Sequence, residues 1–224
     1  MRKCVTTIFC LLFICSFVMT AQAQKTVDKM VATVSDGNKT KLITYSDVLW
    51  QIALEPNTSV DNPSSEDLSR ALQTIINLNL VGLEAEKLPS LVPTEREISA
   101  ERDRILTFFP SPAEFQRRLN AVGFTSTSDD NFRALIAVRV SINKYLDFRF
   151  RSFVVITPKD EEEYYNAVYL PRYREQYPGR IVPEFAKVRA GINKELTEDK
   201  IETNLNKFLE GARERTEIVI LNPL

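Results

Sequence analysis

The residues of this sequence that could take part in covalent chemistry are few. Ser141 and Lys144 have the S-x-x-K spacing with which some acyl-transfer enzymes pair a nucleophile and a base. The companion motifs S-D-N and K-T-G are absent from the sequence, and Ser141 falls in the middle of a predicted helix. We therefore interpret the spacing as a coincidence and predict no acyl-transfer site.

The acidic run from Asp160 to Glu163 allows two interpretations. Clustered carboxylates could bind a hard cation, but this run follows Thr157-Pro158, a pair that is typical of the start of a helix. A helix dipole favours negative charge in the first turn. We therefore predict a solvated helix N-terminus and no metal site.

The composition excludes several kinds of enzyme. The sequence contains no histidine, which rules out Ser-His-Asp and Cys-His catalysis, H-E-x-x-H zinc sites and histidine acid–base chemistry. Its six glycines are scattered singly, so the sequence holds no glycine-rich phosphate loop. We predict a protein without catalytic residues, without a cofactor and without a metal.

Residues 1–23 are typical of a secretory signal peptide. Arg2 and Lys3 precede an apolar run that ends at Met19, and Ala21-Gln22-Ala23 supplies small residues at a cleavage site. A retained membrane anchor is the alternative, although the apolar run is shorter than the roughly 20 residues that span a bilayer. We expect cleavage near Ala23, which would also remove all three cysteines: Cys4, Cys10 and Cys15.

The charge of the remaining chain is nearly balanced. Cleavage would remove two of the 29 basic residues and none of the 30 acidic ones. A nucleic-acid-binding protein needs a basic face, so we predict no nucleic-acid partner.

The two ends of the expected mature chain have strand patterns. The segment "VDKMVATVSDGNKTKLIT" predicts a hairpin that turns at Asp36-Gly37, because both residues tolerate the positive φ of a tight turn. A fragment of a calcium loop is the alternative there, but the later ligands are missing. An isolated hairpin is marginally stable, so we expect the β-rich run from Ile218 to Leu221 to join it in one small sheet.

The sequence between these ends is predicted to be helical. Start signals stand at Thr44, Thr94, Ser111 and Thr157, and Pro171 is expected to kink or end the last of these helices. The predicted fold is mainly α, with about six helices and the small sheet.

The long C-terminal helical segment changes its apolar face near Thr197. If each residue rotates the helix by 100°, the apolar residues before Thr197 share one face of the helix. The apolar residues after Thr197 share a nearly opposite face. Either the helix breaks at Thr197, or its two halves pack on different bodies. The members of the two faces are Phe185, Val188, Ile192 and Leu196, and then Ile201, Leu205, Phe208, Leu209 and Ala212.

The central helix has an expected core stripe and two misplaced cations. Arg139 and Arg149 lie within the stripe, where each would need a carboxylate partner. Val140 and Phe148 fall on the other side of the helix. The expected stripe consists of Leu135, Val138, Ile142, Leu146 and Phe153.

Tyrosines crowd the following helix, and two interpretations of them stay open. They could pack the helices together, or they could form a cradle for extended, aromatic-rich chains. These residues are Tyr164, Tyr165, Tyr169, Tyr173 and Tyr177.

The order of the segments resembles that of the SurA-type periplasmic chaperones. "VDKMVATVSDGNKTKLITYSDV" is similar to the family's N-terminal strand-turn-strand, and "ALQTIINLNLVGLEAEKL" is similar to its leucine-rich second helix. "PTEREISAERDRI", "SPAEFQRRLNAVGFTSTSDDNFRALIAVRVSINKYL" and "VVITPKDEEEYYN" continue the resemblance in the family's order, and residues 185–221 resemble its C-terminal helix and closing strand.

The resemblance implies a chaperone core that lacks the catalytic insert. In the family, parvulin prolyl-isomerase domains lie between the tyrosine-bearing helix and the C-terminal helix. Here residues 24–176 would form the helical chaperone domain, and residues 184–224 would complete the same core. Only the bridge 177–183 stands between them, whereas a parvulin domain needs about 100 residues.

The implied function is that of an ATP-independent periplasmic chaperone, a holdase for unfolded envelope and outer-membrane proteins, and not an enzyme. We expect client contacts at Phe148, Phe150, Tyr165, Tyr169 and Tyr173. A prolyl isomerase by relationship only and a dedicated assembly subunit with one fixed partner are the alternatives. A homodimer that exchanges the C-terminal helix is also possible.

Overall fold

The computed structural model describes residues 28–222 and Leu224, so the predicted signal peptide lies outside the described residues. In chain order the elements are β1 (Met30–Ser35), β2 (Thr40–Thr44), α1 (Tyr45–Ala53), α2 (Ser65–Ala85), α3 (Glu95–Leu106), α4 (Pro112–Ala121), α5 (Asp130–Arg149), α6 (Pro158–Tyr164), a π-helical turn (Tyr165–Tyr169), α7 (Leu170–Gln176), α8 (Phe185–Arg215) and β3 (Glu217–Ile220). The prediction of a mainly α protein with a small sheet is confirmed.

The sheet joins the two ends of the described chain. Its order is β2-β1-β3, and both pairings are antiparallel, with Val34 opposite Lys41 on one side and Ile218 on the other. At the turn, Asp36 Oδ1 accepts hydrogen bonds from the backbone of Asn38 and Lys39. The prediction that β3 would join the hairpin is therefore correct.

Side-chain caps begin the helices at the places that the sequence indicated. Thr44, Thr94 and Thr157 each form a capping box with the acidic residue three positions later. Ser111 accepts a hydrogen bond from the backbone N–H of Glu114. These bonds satisfy N–H groups that the first turn of a helix leaves without partners.

The buried residues form three apolar clusters. The first lies between the sheet, α1 and α2, and it includes Val34, Ile52 and Ile76. The second lies between α3, α4 and α5 around Phe115 and Phe132. The third joins α2 to α5, where Val81, Ile142 and Tyr145 meet Leu205 and Phe208 of α8.

The predicted core stripe of α5 is wrong in part. Val138 and Phe153 are exposed, whereas Val140, which was assigned to the opposite side, is buried. The reason is that α5 packs against both α2 and α3, so it buries two faces and not one stripe. The buried residues of this helix are Phe132, Ile136, Val140, Ile142 and Tyr145.

Two predictions about the C-terminal helices are decided by the structure. The helical backbone does not end at Pro171 but continues to Gln176. The π-helical turn lies directly before α7, the segment that contains this proline.

Helix α8 does not break at Thr197. Instead its first half, where Ile192 is buried, packs against α6, and its second half packs on the core through Phe208 and Leu209.

A buried arginine joins α4 to the end of α1. Arg118 is only 3% exposed. Its guanidinium donates hydrogen bonds to the carbonyl oxygens of Ile52, Ala53 and Glu55 at 2.8, 3.1 and 2.7 Å. A cation at a helix C-terminus is favoured by the helix dipole, so this side chain stabilises the place where α1 stops.

Candidate functional site

An open groove lies between the end of α5 and the second half of α8, and four aromatic side chains line it. The cavity has a volume of about 610 Å³. We call it the aromatic groove and define it by its aromatic residues: Phe148, Phe150, Phe153 and Phe208.

Two of these rings are largely exposed to solvent. Phe148 is 52% exposed and Phe153 is 71% exposed, and their centroids lie 6.2 Å apart in an edge-to-face arrangement. An exposed apolar surface of this kind marks an interaction site when it is contiguous. The pair therefore offers a ready contact for apolar side chains of another chain.

Phe150 differs from its neighbours and from the prediction. It is 7% exposed, because its ring packs edge-to-face on Phe208 at a centroid distance of 5.6 Å. A burial of this extent makes Phe150 a support for the groove, and we no longer count it among the contact residues.

The rim of the aromatic groove is basic. Arg149, Lys207 and Arg215 line it, and the guanidinium carbon of Arg149 lies 5.8 Å from the centroid of the Phe208 ring. The prediction that Arg149 intrudes into the core is wrong, since this residue is exposed and lies over aromatic rings. A basic rim around aromatic rings suits segments that combine aromatic and acidic residues.

A second aromatic surface runs along the α6–α7 helix. The centroids of Tyr165 and Tyr169 are 5.7 Å apart, those of Tyr169 and Tyr173 are 5.9 Å apart, and those of Tyr173 and Tyr177 are 4.9 Å apart. The first two pairs are stacked. We call these four residues the tyrosine ladder, and the structure brings the three predicted contact tyrosines together in it.

Side chains four residues apart are neighbours on any α-helix, and a π-helical turn lies at the first pair of the ladder. In an α-helix of 3.6 residues per turn, each step of four residues rotates the side chain by about 40°. The wider turn between Tyr165 and Tyr169 counteracts this rotation. The ladder therefore uses ordinary four-residue spacing, with one π-helical turn at its first pair.

The ladder is anchored to α8 and to the connection before it. The hydroxyl of Tyr165 donates to the carbonyl oxygen of Pro183 at 2.8 Å, and its ring lies 5.4 Å from that of Phe185. Beside it, the buried carboxylate of Glu161 accepts hydrogen bonds from Asn193 and Arg189, both at 2.6 Å.

The charge of Glu161 should control the α6–α8 junction. The hydrogen bonds from Asn193 and Arg189 hold the pKa of Glu161 below its ordinary value of 4.5. A lowered pKa means that the stabilisation is complete above that ordinary value and is lost as the pH falls through the folded-state pKa. We expect Glu161→Gln to weaken the junction at pH 7 and to remove this part of the acid dependence.

The measurement is the near-UV circular dichroism of the tyrosines between pH 7 and pH 2.5, taken for wild type and variant. Glu163→Gln is the control, because Glu163 lies on the same helix but is exposed and pairs only at 3.5 Å with Lys159. Identical pH profiles for wild type and Glu161→Gln would show that Glu161 does not control the junction.

The residues that first suggested covalent chemistry have other contacts. Lys144 Nζ lies 2.8 Å from Glu97 Oε1, and this bond, together with those from Thr94, lowers the pKa of Glu97 to about 2. The side chain of Lys144 is therefore engaged with Glu97 and with the carbonyl oxygen of Val92. In the described part of the chain, no three potential metal ligands converge, the acidic run at 160–163 included.

Among the helices of residues 28–222, none has the length and hydropathy to cross a bilayer.

A comparison with protein-family models found no match for the chain, and a comparison with curated proteins found none either. The resemblance to SurA-type chaperones thus remains a prediction from the sequence.

Sequence reasoning missed one exposed aromatic of the groove. Phe153 was assigned to the core stripe by its spacing from Leu146, but the chain leaves α5 after Arg149 and forms a short 3₁₀ turn (Arg151–Phe153). The helical period does not apply beyond that point. Arg149 and Arg151, on either side of Phe150, were the residues that could have indicated that the chain lies at the surface here.

Proposed function

We propose that this protein is an ATP-independent periplasmic chaperone of SurA type, reduced to its core, which holds unfolded envelope and outer-membrane proteins. The observation that carries the proposal is the aromatic groove, where Phe148 and Phe153 stay exposed beside a cavity of about 610 Å³. Neighbouring exposed aromatic rings are typical of an interaction surface, and we assign this pair to client binding.

The mechanism is reversible binding of extended segments. Apolar client side chains lose water when they contact Phe148 and Phe153, which contributes roughly 25 cal/mol for each Å² of apolar surface buried. The basic rim attracts acidic groups of the client without a fixed geometry. Weak and adaptable contacts suit a holdase, because a client must also be released.

The tyrosine ladder supplies a second surface of the same kind. Its rings have an apolar face and a polar hydroxyl, and each of its four tyrosines retains accessible surface. An extended client that contacts both surfaces gains avidity from two weak sites. Burial raises the pKa of Tyr169, so this hydroxyl is neutral at physiological pH.

The connection between α7 and α8 also supports the proposal. The bridge 177–183 is the place where the resemblance locates a parvulin domain, and Ile181 within it is almost fully exposed. On this proposal the protein has no isomerase activity, and its relation to prolyl isomerases is one of ancestry only. The proposed compartment rests on the predicted signal peptide.

The test is suppression of aggregation. A urea-unfolded outer-membrane β-barrel protein is diluted into buffer with increasing amounts of the purified protein, and light scattering is followed without added nucleotide. We expect suppression that grows with concentration. Absence of suppression at a several-fold excess would exclude general chaperoning.

A dedicated subunit with one fixed partner is the second candidate, and one observation favours it. Strand β3 is an edge of the sheet, and Val219, Ile220 and Leu221 are exposed there. An exposed apolar edge is a template for pairing with another chain. Capture of a single envelope protein in fixed stoichiometry would favour this candidate.

The homodimer that exchanges α8 also remains a prediction. Within this chain β3 pairs with β1 of the same molecule, so an exchange would replace contacts that one copy already makes. Light scattering coupled to size-exclusion chromatography distinguishes monomer from dimer directly.

A further inference from the structure

A second cavity, separate from the aromatic groove, lies between β2, α1, α2 and α5. Its volume is about 140 Å³, close to that of cavities of roughly 150 Å³ that accommodate benzene. Most of its lining is apolar, and two of the lining residues, Leu42 and Val138, are exposed at the surface. The apolar lining consists of Leu42, Ile75, Leu78, Leu135, Val138 and Ile142.

One cation, Arg139, lines this mostly apolar cavity, together with the polar residues Asp47, Gln51 and Asn79. The guanidinium of Arg139 donates from Nη2 to Gln51 Oε1, while its Nε is buried without a hydrogen-bond partner among the described residues. Burial lowers the pKa of Arg139, although a guanidinium remains charged at any physiological pH. We call this site the arginine cavity.

The carboxylates near Arg139 are bonded to other groups. Glu101, whose charge favours that of Arg139, pairs with Arg104 at 2.6 Å. Asp47 lines the cavity, but its Oδ2 accepts hydrogen bonds from the backbone and the hydroxyl of Thr44 at 2.8 and 2.9 Å. Glu55 reaches Arg139 only through Gln51, whose Nε2 donates to Glu55 Oε1 at 2.9 Å. Within the described part of the chain, Arg139 forms no ion pair, contrary to the prediction of a carboxylate partner.

A buried cation without an ion pair is costly unless another group supplies the opposite charge. Glu101 and Glu55 favour the charge of Arg139 from a distance, and an anion that approaches the guanidinium from the cavity would add a direct partner. Such an anion must also carry an apolar part of the size of one side chain, because the cavity holds no more. A carboxylate is the anion whose two oxygens match the fork of an arginine.

We propose that the arginine cavity binds the C-terminal residue of a polypeptide, with its apolar side chain in the cavity and its free α-carboxylate on Arg139. The inference rests on the proposed function and deepens it, since it names one feature that a client must have. Only a chain end places a carboxylate and an apolar side chain on the same carbon atom.

The test compares three fluorescein-labelled peptides by anisotropy. The first is Gly-Ser-Gly-Ser-Leu with a free carboxylate, the second is the same peptide with a C-terminal amide, and the third carries an internal aspartate and the amide. A hydrogen bond to a charged group discriminates by roughly 10-fold or more. We expect the first peptide to bind at least 10-fold more tightly than the other two.

The variant Arg139→Met should bind the free acid and the amide equally. Arg133→Met is the control, because Arg133 lies on the same helix but is exposed and pairs with Glu95, so the preference should persist. If Arg139→Met does not fold, Leu42→Glu is the alternative variant. Leu42 is exposed at the rim of the arginine cavity. A glutamate carboxylate at this position should repel the carboxylate of the peptide or take its place at Arg139, so the preference for the free acid should be lost. Equal affinities of the wild-type protein for the free-acid peptide and the amide peptide would overturn the proposal. A preference of the Arg139→Met variant for the free-acid peptide would also overturn it.

The aggregation assay separates this proposal from the proposed function. Suppression of aggregation without any preference for the free acid would leave the holdase intact and overturn the arginine cavity as a terminus site. A preference for the free acid without suppression would retain the terminus site and overturn the holdase.

Discussion

Replacing Phe148 and Phe153 together by serine is expected to abolish most of the suppression of aggregation while leaving the fold unchanged. Both rings are more than half exposed, so their loss removes little buried surface from the protein itself. In a complex with a client, burial of the two rings should contribute about 2–3 kcal/mol. That loss corresponds to roughly 30- to 140-fold weaker binding.

The measurement is the concentration of protein that halves the light scattering of the diluted client, with circular dichroism to verify the fold. Phe108→Ser is the matched control, because Phe108 is also 52% exposed but follows α3 and does not line the aromatic groove. If the control loses as much activity as the double variant, exposed aromatic area in general is responsible and the aromatic groove is not a specific site.

The second large effect is expected on stability. Arg118→Met keeps most of the apolar stem of the side chain but leaves the carbonyl oxygens of Ile52, Ala53 and Glu55 without their buried donor. Loss of hydrogen bonds to a charged group in the interior should lower the free energy of unfolding by about 3 kcal/mol. The urea midpoint should therefore fall by roughly 1 M or more.

The adjacent residue provides the control for this experiment. Arg117 pairs with Glu114 and Asp61 at the surface, each at 3.0 Å, and exposed ion pairs contribute little. Arg117→Met should shift the urea midpoint far less than Arg118→Met. Equal shifts for the two variants would mean that the bonds from Arg118 to the end of α1 are not what stabilises this junction.

Capping and periodicity account for much of the fold that could be predicted. The boxes that begin α1, α3 and α6 depend on a hydroxyl and a carboxylate three residues apart, and such bonds form within one turn. The pairing of β3 with β1 followed from the need of a hairpin for a further strand. The inference about the helix starts used interactions within a few residues. The inference about β3 used a general requirement of packing.

The candidate site was predicted less completely. The tyrosines were singled out by their crowding, and the structure joins Tyr165, Tyr169 and Tyr173 in one ladder. Phe148 was correctly expected off the apolar stripe, but Phe150 is buried against Phe208, a residue 58 positions later in the chain. A contact over that distance in sequence cannot be derived from the residues around Phe150 alone.

The sequence by itself thus determined the helix starts, the hairpin turn and the class of the fold, because these depend on local hydrogen bonds and on the spacing of apolar residues. Only the tertiary structure decided which faces of α5 are buried, since this helix is covered by neighbours on two sides. It also decided that the hydrogen-bond partner of Arg139 is the amide of Gln51 and not a carboxylate, in a mostly apolar cavity that Asp47 also lines. That arrangement brings Arg139 of α5 to Gln51 of α1, 88 positions earlier in the chain, and this packing fixes the electrostatic environment of the arginine.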